Sequence, residues 1–162
     1  MKPLFKALIA GNLLALLLYV GYYVHAKEDI LAGGELVLLE LAPVDPRSLL
    51  QGDYMRLNYA VSQGFDRDSL PRTGYLIVER DVRGVGQRNR FQPDVQPLAA
   101  EEYAIGYRIP DRWQLNIGAE SYFFQEGKGD TFAAAKYGGL RVDAKGNSLL
   151  VGLYNEDLEL IR

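Results

Sequence analysis

The stretch DPRSLLQGDYMRLNY, residues 45–59, decides the fold, because a turn-forming segment opens there into a β-strand. Gly52 suits a turn position with positive φ, and we expect the pair Asp45-Pro46 and Ser48 to fold the preceding loop through side-chain hydrogen bonds to its backbone. Side chains alternate between the two faces of a strand, so every second residue should point to the core. The predicted core positions are Met55, Leu57, Tyr59 and Val61.

The other face of this strand predicts a candidate binding surface. Tyr54, Arg56 and Asn58 alternate with the core positions and should therefore face outward. Glu126, after the aromatic run 122–124, joins this candidate surface. The motif as a whole also has a structural interpretation, as a stabilised corner before the strand. The residues concerned are Asp45, Pro46, Arg47, Gly52, Asp53, Tyr54, Leu57 and Tyr59.

The spacing Gly-Asp-Tyr-x-x-Leu-x-Tyr resembles a known family. Gly52, Asp53, Tyr54, Leu57 and Tyr59 match every fixed position of the bacterial, membrane-associated GDYXXLXY family, whose function is uncharacterised. Residues 43–49 and 118–127 also resemble the family. The resemblance implies an exported accessory module that acts with a multi-span membrane protein, and it supplies no reaction.

Residues 7–24 read ALIAGNLLALLLYVGYYV and carry no charge, close to the ~20 apolar residues that cross a bilayer core. Lys2 and Lys6 precede this run, so the positive-inside rule places the amino terminus in the cytoplasm. We therefore predict a cytoplasmic tail at 1–6, a transmembrane anchor in the lipid bilayer at 7–25, and an extracytoplasmic β domain at 27–162. The expected location is a bacterial inner membrane, with the domain in the periplasm or outside the cell.

A cleaved secretory signal is the alternative to an anchor, because Val24, His25 and Ala26 have the small-residue spacing that leader peptidase accepts. The apolar run is longer than the ~7–15 residues of a typical signal. Tyr19, Tyr22 and Tyr23 also resemble an aromatic belt at a membrane interface. Both interpretations export the same domain.

Composition excludes several classes of function. Lys2 and Lys6 are the only charged residues before position 27, so the 18 basic and 21 acidic residues of the chain leave a formal charge of −5 after the anchor. This balance argues against nucleic acid as a partner. The sequence has no cysteine and one histidine, His25. We therefore predict no metal site and no cofactor.

An exported hydrolase is the alternative function. Ser48 ahead of Gly52-Asp53 is similar to bacterial signal peptidases, but the Ser-Met-x-Pro-x-Leu block and a downstream Lys-Arg strand are missing. A carboxylate pair is the other enzymatic option. The acidic residues on or near predicted strands are Glu79, Asp81, Glu101, Glu102, Glu120 and Glu126. No catalytic residue is assigned, and a non-catalytic binding role is preferred.

Short apolar runs between Gly and Pro turns predict a mostly β protein. The predicted strands are 35–42, one near 53, 74–82, 87–91, 101–109, 113–125, 140–142 and 148–154. We expect 101–109 and 113–125 to form a hairpin, and residues 130–137 to form one short helix capped by Asp130. The fold class is therefore an antiparallel β domain, barrel-like or a sandwich, with one short helix and a single amino-terminal transmembrane helix.

Overall fold

The computed structural model describes residues 3–42, 54–111, 114–125 and 127–162. A long helix, α1 (Pro3–Gly33), precedes the β domain. The elements of the domain are β1 (Glu35–Glu40), β2 (Tyr54–Arg56), β3 (Thr73–Arg80), β4 (Gly86–Gln92), β5 (Glu102–Arg108), β6 (Ser121–Phe123), α2 (Gly129–Phe132), β7 (Tyr137–Val142) and β8 (Ser148–Tyr154). Two single-turn 3-10 helices, Ala60–Ser62 and Arg67–Ser69, lie between β2 and β3.

Helix α1 is long and apolar enough to cross a membrane, and it continues beyond the predicted anchor to Gly33. The amide of Gly34 donates to the carbonyl of Ile30 at 2.9 Å. A Cβ at Gly34 would lie 2.5 Å from that same oxygen, so the tight junction requires glycine. Ile30 is buried, and Arg141 of β7 donates to the carbonyl of Gly34 at 2.6 Å. The helix is therefore fastened to the β domain where the two meet.

The strands form three antiparallel sheets, in the orders β1-β7-β8, β4-β3-β5 and β2-β6. Among the described residues the sheets do not close into a barrel, so the arrangement is sandwich-like. The predicted β7–β8 hairpin is confirmed. Its turn is held by the Asp143 carboxylate, which accepts from the amides of Lys145 and Asn147 at 2.8 and 2.9 Å.

The core lies between the two three-stranded sheets. It receives Val37 and Leu39 from β1 and Leu76 and Val78 from β3, all fully buried. The sheets pack closely at Gly86, where an added Cβ would lie 2.7 Å from Cγ1 of Val37. Close packing of this kind fixes the position of every strand that the core contacts.

Two predicted elements are wrong in detail. The helix expected at 130–137 is the four-residue α2, which starts at Gly129, so Asp130 lies within it and is not its cap. Tyr137 pairs with Glu40 and Tyr154 at the start of β7, because sheet pairing outweighs the helix propensity of the alanines. The short helix is held by Phe132, which is buried against other aromatic rings.

Among the described residues, the hairpin expected from 101–109 and 113–125 is reduced to one bridge, between Arg108 and Asn116. Strand β6 pairs with β2 instead of β5. The cause is local, because the Glu120 carboxylate accepts from the amides of Ile117 and Gly118 and turns the chain away from a regular strand. Gly118 has φ +82°, a conformation that suits glycine.

Candidate functional site

The motif strand buries the face that its alternation predicts. Met55, Leu57, Tyr59 and Val61 are each at most 6% exposed. Main-chain bonds hold this segment on both sides, since Leu57 donates to the carbonyl of Glu120 and Asn58 accepts from the amide of Ala42, both at 2.8 Å. The segment therefore joins the end of β1 to the chain that leads into β6.

Tyr59 fixes the centre of this junction. Its hydroxyl donates to the carbonyl of Ala119 at 2.8 Å inside the core. Its ring lies so close to Gly138 of β7 that an added Cβ there would be 2.9 Å from Cε1. Burial, reinforced by the charge of Glu120, raises the pKa of Tyr59. The hydroxyl thus stays protonated and serves as a structural donor.

The outward residues Arg56 and Asn58 line one groove, which has a volume of about 730 Å³. Arg56 is exposed, and its Nη2 donates to Oε1 of Gln114 at 3.2 Å. The floor includes Leu57 and Leu115, both buried. The groove is therefore polar at its rim and apolar beneath.

One wall of the groove is the loop that carries Gln63 and Arg67. Arg88 of β4 donates to three carbonyls of the segment between β2 and β3, those of Val61 at 3.1 Å, Gln63, and Gly64 at 3.4 Å. Arg67 donates to the carbonyl of Leu70 at 3.1 Å. These bonds order the wall without any ligand.

The facing wall, formed by Asp111 and residues 114–120, is ordered by carboxylates. Asp111 accepts from the amide of Gln114 at 3.1 Å, and Glu120 accepts from the amide of Gly118 at the same distance and from that of Ile117. Both carboxylates line the groove. Because their oxygens hold the main chain in place, each has a structural role.

The structure brings Arg56 and Asn58 together, as the sequence predicts for an outward face. The backbone of Tyr54 pairs with Phe123, whose side chain is 74% exposed. Outside the described residues lie Asp45, Pro46, Arg47, Ser48, Gly52, Asp53 and Glu126. Gln114 and Arg67 line the groove as well, although neither belongs to the surface that the sequence predicts. No spacing signal connects them to the motif, since Gln114 is 58 positions from Arg56.

Several of the carboxylates considered for an enzymatic pair have structural partners. Glu101 pairs with Arg80 at 2.8 Å, and Asp81 accepts from the amides of Arg83 and Val85 in the β3–β4 turn. The Glu102 carboxylate accepts two hydrogen bonds from the guanidinium of Arg90, and the bond from Nη2 to Oε2 is 2.9 Å long. Within the described ranges, no group of three or more His, Asp or Glu side chains is placed to hold a metal ion.

The fold and the groove together define the class of this protein. It is a β domain that follows a long apolar helix and carries a preformed groove above the buried motif strand. The chain belongs to the GDYXXLXY protein family, whose model matches residues 16–153. Comparisons with curated proteins and with solved structures find no match.

Proposed function

We propose that this protein is a non-catalytic binding or accessory module for a multi-span membrane protein. Helix α1 anchors it in the inner membrane with the amino terminus in the cytoplasm. The β domain is exported to the periplasm or the cell exterior and presents the groove to its partner. The acidic exported region, with formal charge −5, makes nucleic acid a poor ligand.

The preformed groove carries this proposal. Both walls are ordered by internal hydrogen bonds, so little conformational entropy is lost when a partner binds. The groove carboxylates are engaged with main-chain amides. A hydrolase needs a nucleophile or an acid and base that converge on one point, and the hydrogen bonds of the described groove residues do not form such an arrangement.

Features of the anchor helix favour a partner helix inside the bilayer. Asn12 lies about 5 Å along the helix from the middle of residues 7–24, and its side chain is exposed. A Cβ at Gly11 or Gly21 would meet nothing within 4 Å, so both faces are open to another helix. A carboxamide in hydrocarbon gains about 0.6–2 kcal/mol from a hydrogen bond across a helix contact.

The test is recovery of the partner from native membranes in mild detergent, with bound proteins identified by mass spectrometry. The full-length protein is compared with an anchor-swapped version and with Arg56→Ala/Gln114→Ala, which alters the groove. Arg72→Ala is the matched control, because Arg72 is exposed and lies outside the groove.

We expect one multi-span protein that is retained by the control and lost with either the anchor swap or the groove variant. Recovery of the same proteins by all four versions would refute the proposal. So would the absence of any partner under conditions that preserve other membrane complexes.

A further inference from the structure

We infer that the groove binds an extended peptide segment with one carboxylate beside an apolar side chain, and that Arg56 receives the carboxylate. This inference rests on the proposed function in one respect, namely that the groove is the surface that meets the partner. It goes further by assigning the chemistry of the bound segment.

The charge of Arg56 is the first support for this inference, because no carboxylate among the described residues neutralises it. Its bond goes to the neutral Oε1 of Gln114 at 3.2 Å, and it forms no salt bridge with any residue that the structure describes. By contrast, Arg80 and Arg90 each bind a glutamate. An exposed guanidinium is suited to a carboxylate, which it binds through paired hydrogen bonds.

Gln114 adds a second donor at the same place. Its Oε1 accepts from Arg56, and the two N–H groups of its amide have no partner among the residues that the structure describes. The groove therefore offers hydrogen-bond donors, and its ligand should supply oxygen acceptors.

The charges that line the groove favour one carboxylate over many. Two carboxylates, Asp111 and Glu120, line the groove together with Arg56 and Arg67. A polyanion would meet two acidic side chains in addition to the two guanidinium groups, and like charges placed together oppose binding. A segment with a single acidic group meets Arg56 without this repulsion.

The apolar part of the ligand follows from the floor. Leu57, Tyr59 and Leu115 are buried beneath the groove, and Phe65 is half-buried in its wall. The volume of about 730 Å³ lies within the range of about 300–1,000 Å³ that holds ligands of drug size. Such a space fits a few residues of extended chain, with one apolar side chain on the floor.

Selection from a peptide library tests which side-chain chemistry the groove binds. A phage library of random linear dodecapeptides is panned on the full-length protein in zwitterionic lipid nanodiscs. Parallel pannings use Arg56→Gln, Gln114→Ala and the control Arg72→Gln. We expect sequences with one Asp or Glu next to a Leu, Ile or Phe, recovered on the wild type and on the control and depleted on both groove variants.

Fluorescence polarisation then measures affinity for one selected peptide and for the same peptide with its acid changed to the amide. Loss of one charge-assisted hydrogen bond predicts an increase in Kd of about tenfold for Arg56→Gln and for the amide peptide. Combining the two changes should add little, because both remove the same contact. Selection of basic peptides, or equal affinity of wild type and Arg56→Gln, would overturn the inference.

The two proposals fail separately. A partner lost with the groove variant in the pull-down, together with peptides that lack an acid, would preserve the accessory role and remove the carboxylate preference. Acid-dependent peptide binding without any recovered membrane partner would preserve the site and remove the proposed function.

Discussion

Replacement of Tyr59 by phenylalanine should destabilise the β domain by about 1–3 kcal/mol, the cost of an unpaired buried polar group. The change keeps the ring that packs on Gly138 and removes only the hydroxyl, so the carbonyl of Ala119 loses its 2.8 Å donor. For a domain of this size each kcal/mol corresponds to about 2–8 °C in Tm. A loss of several degrees is therefore expected.

Tyr107 provides the matched control. It is also buried, but its hydroxyl lies 3.5 Å from the carbonyl of Pro71, at the limit of a hydrogen bond. Tyr107→Phe should therefore cost clearly less than Tyr59→Phe. Both variants are measured in full-length protein in detergent by thermal and urea unfolding followed by circular dichroism. Equal losses for the two, or no loss for Tyr59→Phe, would show that the motif tyrosine does not act through its hydroxyl.

Two further changes test the fold. The Arg90 guanidinium, with the amide of Ala99, lowers the pKa of Glu102 to about 2 from an ordinary value of 4.5. A carboxylate with a lowered folded pKa contributes stability that is complete above pH 4.5 and lost as the pH falls toward 2. The urea midpoint should therefore fall less steeply between pH 5 and pH 3 in Glu102→Gln than in the wild type. Parallel pH dependences of the two midpoints would contradict a stabilising role for the Glu102 carboxylate. Gly86→Ala should cost about 1–3 kcal/mol by overpacking, because the new Cβ meets Val37 of the facing sheet at 2.7 Å. Gly11→Ala is the control for domain stability, because an added Cβ at Gly11 meets nothing within 4 Å. An unchanged urea midpoint for Gly86→Ala would refute the close contact between the sheets.

Local patterns of the sequence predicted the elements whose neighbours are close along the chain. The alternation at residues 55–61 identified the buried face, and the turn at Asp143 joined two strands that pair in the expected hairpin. The apolar run of residues 7–24 predicted the helix, although the helix continues to Gly33, since residues 25–33 contain no helix breaker before the Gly33-Gly34 pair. In each case the deciding interaction lies within one element or one turn.

The groove depends on contacts between distant segments. Gln114 meets Arg56, and Arg88 orders the wall that carries Arg67, across separations that no periodicity encodes. The pairing of strand β6 also differs from the prediction. It pairs with β2, because the Glu120 carboxylate bends the chain just before the strand.

The motif strand with its buried face, the apolar helix and the antiparallel β class follow from the sequence, because alternation, hydropathy and turn chemistry act over a few residues. The order of the strands, the junction at Tyr59 and the side chains that surround Arg56 emerge from the folded chain. Those outcomes are set by how the sheets pack on a shared core, and that packing is a property of the whole chain.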